Sequence, residues 1–181
     1  MRIHLGSDHA GWELKGRIAQ WLTDRGYEVV DHGPVTFDPM DDYPVFCLRA
    51  AEAVGVDRYR GMASLGIVLG GSGNGEQIAA NKVPGIRAAL AWNPATAALA
   101  RQHNDAQVVA IGGRMHTFDE VTEVVQAFLT TEFSGDERHD RRIEMLLHYE
   151  ETEELPPLPR SALGSEAGPS ESLRSGEDRN T

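Results

Sequence analysis

Seven consecutive residues, Gly70-Gly71-Ser72-Gly73-Asn74-Gly75-Glu76, set a flexible backbone directly against one carboxylate. They lie between the apolar run Leu65-Gly66-Ile67-Val68-Leu69 and the helix-compatible Gln77-Ile78-Ala79-Ala80-Asn81-Lys82, so strand, loop and helix start follow one another. Glycine lets backbone N–H groups close on an anion, and the first turn of a helix adds unpaired donors and the positive end of its dipole. The amides of Gly71 to Gly75 therefore read as an anion cradle. Glu76 would repel a phosphate resting at the same point, which suits an anion that forms only during a reaction. Gly75 is followed by Glu76 and Gln77 rather than Lys-Ser/Thr, so a nucleoside triphosphatase loop is excluded. The glycine spacing, and the lack of an acidic residue at the end of a following strand, also depart from the dinucleotide fingerprint.

Other residues able to do chemistry sit in short polar groups. Ser7-Asp8-His9 follows the first apolar run, and Asp8 also stands where it could cap the next helix. His103-Asn104 ends a helical stretch, where an imidazolium would also interact well with the helix dipole. Arg138 and Arg142, four residues apart on a predicted helix, project from one face as a grip for a dianionic phosphate, and Arg114 would complete the clamp. Asp136, Glu137 and Asp140 offer the other reading, a solvated helix laced with weak ion pairs. The seven histidines are scattered without metal-site spacing, and the single cysteine, Cys47, permits neither an internal disulfide nor a zinc site. No metal and no cofactor is expected.

These groups must be carried by a repeated βα pattern. Strands are predicted at Arg2–Leu5, Glu28–Asp31, Leu65–Leu69, Arg87–Ala91 and Val108–Ile111. Helices are predicted at about Glu13–Arg25, Val45–Val56, Pro94–His103, Phe118–Leu129 and Asp136–Glu153. Short strands alternating with helices imply an α/β, Rossmann-like three-layer sandwich with a five-stranded parallel sheet, followed by a C-terminal helix. Ligands bind such sheets beyond the carboxyl ends of the strands, which is where Asp8, the glycine loop and Arg114 fall. The 181 residues suffice for one domain, over 1–154, and a tail. From 155 to 181, proline, serine, glycine and acidic residues displace large apolar side chains, so that segment is expected to be disordered. A net charge of −11 argues against a nucleic-acid surface. No apolar run is long enough for a membrane span and no leader is evident, so a cytoplasmic protein is expected.

Gly6-Ser7-Asp8-His9-Ala10-Gly11, Asp42-Tyr43-Pro44, the glycine loop, Ala79-Ala80-Asn81-Lys82, Arg101-Gln102-His103-Asn104, Gly112-Gly113-Arg114 and Arg138-His139-Asp140-Arg141-Arg142 together resemble type B ribose-5-phosphate isomerase. The wider family also acts on galactose 6-phosphate and allose 6-phosphate. The resemblance implies interconversion of ribose 5-phosphate and ribulose 5-phosphate through an enediolate, with no metal or cofactor. It implies Glu76 as the base, in the branch that lacks a cysteine at the place of Gly70, and His103 as the group that opens the sugar ring. Asn104 would hold a sugar or enediolate oxygen, Asp8 would accept from sugar hydroxyls, and His9 would reach the substrate or its phosphate. Ser72 would donate from the loop, with Tyr43 a weaker candidate for packing against the sugar. In the family the helix arginines come from a neighbouring subunit, so a homodimer, or a tetramer built from it, is implied, with the site at the interface. A six-carbon sugar-phosphate isomerase and a non-catalytic sensor are the competing readings. One tension stands in the assignment: a helix N-terminus lowers the pKa of Glu76, whereas a base works best nearer the ambient pH.

Overall fold

The computed structural model describes residues 1–159 and residue 162. Five parallel strands, β1 (Arg2–Ser7), β2 (Glu28–Asp31), β3 (Ser64–Gly70), β4 (Ala88–Leu90) and β5 (Val108–Gly112), form one sheet in the order β2-β1-β3-β5-β4. The helices are α1 (Trp12–Thr23), α2 (Tyr43–Tyr59), α3 (Asn74–Ala80), α4 (Pro94–Asn104), α5 (Phe118–Thr130) and α6 (Glu137–Thr152). The expected three-layer α/β sandwich is present. α1, α4 and α5 bury Ile18, Leu22, Ala97, Val124 and Phe128 on one face of the sheet. α2 and α3 close the other with Cys47, Ala50, Val54, Ala79 and Ala80.

Position in the sheet explains the pattern of each strand. β3 is central and every one of its residues is buried, which is why it reads as a continuous apolar run. β2 lies at an edge and exposes Glu28 and Asp31. Chain direction reverses its spread at β1 and β3: β2 lies outside β1, whereas β5 and β4 continue beyond β3. That switch opens a crevice past the strand ends, where a ligand can reach backbone and loop groups from both halves.

Two boundaries shift the chemistry. α2 starts at Tyr43 with Pro44 in its first turn, two residues ahead of the predicted start, so Tyr43 belongs to a rigid element. α3 starts at Asn74, because Gly73 takes a left-handed conformation (φ 83°) at the N-cap and turns the chain at once; Glu76 thereby enters the first turn. Residues 155–159 are exposed and carry no helix or strand. Apart from residue 162, the rest of the tail predicted to be disordered lies outside the described residues.

Candidate active site

An open cleft of about 470 Å³ lies beyond the ends of β1, β3 and β5, lined by Asp8, His9, Ala10, Tyr43, Gly71, Ser72, Gly75, Glu76, Arg114 and Met115. A groove of similar size between α1 and α5 holds Trp21, Arg25 and Glu123 but neither a histidine nor the glycine loop, so it gathers none of the site residues expected from the sequence.

Glu76 is buried to 4% exposure, and its carboxylate lies over the α-carbon of Gly70: a β-carbon there would overlap it. Only glycine at 70 leaves that space. Burial raises the pKa of Glu76; the neighbouring backbone amides of Glu76 and Gly73 pull it down, and Asp8 pushes it up again. The opposition foreseen between the helix start and a useful base is thus resolved by desolvation in the free chain. Tyr43 packs its ring on Gly75, where a β-carbon would come within 2.7 Å of the ring. Ser72 accepts from the Asn74 side chain at 3.2 Å, while Asn74 itself is exposed and outside the cleft lining.

Asp8 does not cap α1, whose N-cap is Gly11 with no side-chain bond; it shapes the turn ahead of the helix instead. Its Oδ1 accepts from the amides of Ala10 (2.9 Å) and Gly11 (3.3 Å), in the turn leading into α1 rather than in the helix proper, and the residue also lines the cleft. His9 is fixed by a residue that sequence reasoning passed over: Asp41 Oδ1 accepts from the His9 backbone amide at 2.8 Å and from ring Nδ1 at 2.9 Å. Arg114 reaches the same cleft, its amide donating to the Gly71 carbonyl at 3.1 Å and its side chain lying near Gly71. Cys47 is core, as expected; burial raises its thiol pKa, and Glu76 and Asp8 raise it further, so it is protonated and inert.

The other half of the predicted site lies elsewhere in the chain. His103 and Asn104 close α4 just before β5, whereas the loop follows β3, and β3 and β5 are parallel with Gly66 opposite Val108 and Gly70 opposite Gly112. The two groups therefore lie beyond opposite ends of the strands. Five residues of strand separate them by about 16 Å, farther than acid and base can reach on one pentose. Beside His103 stands His139, which sequence reasoning named only within a motif; their ring centroids are 4.3 Å apart. His139 is buried, bonds Ser134 Oγ through Nδ1 at 2.8 Å, and has its pKa lowered by burial, then by His103 and Arg138. Arg138 and Arg142 are exposed here, and among the described residues neither forms an ion pair, which disfavours the laced-helix reading. The three-arginine clamp is consequently split within one chain, Arg114 beyond the carboxyl ends of the strands and Arg138 with Arg142 on the helix beside His103 at the other ends. Among the described residues no group of three or more His, Cys, Asp and Glu could hold a metal ion, and no helix is long and apolar enough to cross a membrane.

Comparison with known proteins gives consistent matches. The family model described as Ribose/Galactose Isomerase matches residues 3–146. Ribose-5-phosphate isomerase B of Mycobacterium tuberculosis is 58% identical over 159 residues, 88% of this chain and 96% of that protein. The Escherichia coli protein of the same name is 38% identical over 150 residues, 83% of this chain and 97% of that one. Among solved structures, ribose-5-phosphate isomerase B of Clostridium thermocellum superposes with a TM-score of 0.78 at 43% identity, covering 85% of this chain and 100% of its own. That of Mycoplasma genitalium with bound ribulose-5-phosphate also gives 0.78, at 41% identity over 83% and 97% of the two chains.

Proposed function

The chain belongs to the ribose/galactose isomerase family, and on that premise we propose that it interconverts ribose 5-phosphate and ribulose 5-phosphate with its own side chains and backbone. The observation that carries the mechanism is the Glu76 carboxylate, buried over Gly70 at the floor of the cleft with its pKa raised. In this mechanism Glu76 takes the proton from carbon 2 of the open aldose, and charge passes to the oxygen on carbon 1. Amides of the loop from Gly71 to Gly75, with the Ser72 hydroxyl, stabilise that enediolate. Returning the carbon-bound proton to carbon 1, while the hydroxyl proton moves from oxygen 2 to oxygen 1, gives the ketose. Asp8 accepts from sugar hydroxyls, Tyr43 packs on the sugar, and His9 and Arg114 bind anionic or hydroxyl oxygens.

His103 as the acid that opens the ring, Asn104, and the phosphate grip of Arg138 and Arg142 come, in this proposal, from a second copy of the chain. Two observations support that: the halves lie beyond opposite ends of the strands, and α6 buries only His139 of its 16 residues while exposing Met145, Leu146, Leu147 and Tyr149. A helix with so little packing is not stable in water on its own. The homodimer and a cytoplasmic setting are parts of this proposal.

Purified protein with ribose 5-phosphate and a chelator is expected to form ribulose 5-phosphate, and Glu76→Gln is expected to lower kcat by about 10³-fold with KM nearly unchanged. Near-normal turnover by that variant removes Glu76 as base; turnover of allose or galactose 6-phosphate in place of the pentose reassigns the substrate.

A further inference from the structure

His9 is held at both ends of its amino-acid unit by a single oxygen. Asp41 Oδ1 can only accept, so Nδ1 of the His9 ring carries a hydrogen, and Nε2 is the ring atom left without a protein partner among the described residues. His9 lines the cleft, whereas Asp41 is not among the residues that do. The Asp41 side chain is 9% exposed, and its Oδ2 is buried with no hydrogen-bond partner. Both hydrogen bonds that this side chain accepts among the described residues come from His9.

We propose that Asp41 is a positioning residue for the isomerisation: it fixes the His9 ring and favours the form protonated on both nitrogens, so that Nε2–H can donate to a substrate oxygen in the cleft. The groups facing His9 fit that role. Asp41 from the loop before α2 and Asp8 from its own turn favour the charged ring, Arg114 after β5 and partial burial oppose it, and Glu76 on α3 and Tyr43 on α2 line the same cleft. The hydrogen bond to Asp41 is the largest of these influences and raises the pKa of His9. His9 and Arg114 then present two donors to the same cleft. The role of Asp41 in turnover rests on the cleft being the sugar-phosphate site; the state of the His9 ring does not.

Asp41→Asn separates charge from geometry, because the amide oxygen can still accept both N–H bonds. In the ligand-free parent, the His9 ring resonance followed by NMR should titrate above the ordinary histidine value of about 6.5, and in Asp41→Asn it should titrate lower. At pH 8 the variant's KM for ribose 5-phosphate should rise roughly tenfold over the parent at the same pH, with kcat changed less. At pH 6, where the ring takes up its proton again, that ratio should shrink towards one. In a His9→Gln background, Asp41→Asn should add nothing further. A parent ring titrating at or below the ordinary value overturns the proposal, and that measurement needs neither turnover nor a folded variant. An equal KM penalty at both pH values, or additive effects of the two substitutions, overturns it as well.

Discussion

At the scale of the residue, the decisive relation is between position 70 and position 76. A side chain at 70 and the Glu76 carboxylate claim the same space, since a β-carbon on Gly70 overlaps that carboxylate. Gly70→Ala should therefore displace Glu76 and lower kcat by about 10²-fold or more, while the strand, already fully buried, keeps the fold; stopped turnover with a preserved far-UV spectrum checks it. The pH dependence follows from the same burial. Because the base must be ionised and its pKa is raised in the free chain, the acid limb of kcat/KM should lie above the ordinary glutamate value of about 4.3. The folded chain also holds this proton more tightly than the unfolded chain, so the stability that Glu76 contributes falls as pH rises through the raised value.

Elements place these residues by means that are mostly polar at their ends and apolar along their sides. α3 is tied to β4 by Asn81, whose side chain donates to the Ala88 carbonyl at 2.9 Å and accepts from the Ala88 amide at 2.8 Å, extending the pattern of a strand neighbour. The end of α4, which carries His103, is held by Asp105 in a left-handed conformation (φ 41°) at the C-cap. Its carboxylate gathers Arg58 (3.0 Å), Arg87 (3.2 Å) and Arg101 (2.7 Å). Asp105→Ala leaves three guanidinium groups without that counter-charge and puts a side chain less suited to the left-handed region there. Chemical denaturation should show a loss of about 3 kcal/mol. His103 should lose its alignment with His139, so residual folded protein should turn over more slowly than the parent.

For the whole molecule, the question is which copy completes which site. If Glu76 of one copy works with His103 of another, Glu76→Gln and His103→Gln homodimers are each defective, but a mixed dimer contains one intact site. Mixing the two variants under conditions of subunit exchange should restore about a quarter of the parent activity, because half the dimers are mixed and one of their two sites is whole. Recovery at the level of the separate variants would place both groups in one chain's site. The exposed apolar residues Val45, Leu48 and Val56 of α2 and Ile78 of α3 add surface for such a contact beyond α6.

The sequence by itself determined the architecture, since period-2 and period-3.6 patterns are local and the five strands fall where the apolar runs predict them. It also determined the chemistry of the cleft: Glu76, Asp8, His9 and the glycine loop follow strand ends, and parallel strands bring their ends together. What only the tertiary structure decided depends on distances across the chain. Asp41 bonds a histidine 32 residues away, and nothing in the pattern around Asp42-Tyr43-Pro44 marks which aspartate turns inward. The rise in the pKa of Glu76 could not be read from its place at a helix start, because burial, which outweighs the local amides, is set by everything packed around it. Nor could spacing show that Arg114 parts company from Arg138 and Arg142, since which end of the strands a residue meets is fixed by strand direction and helix crossover rather than by residue type.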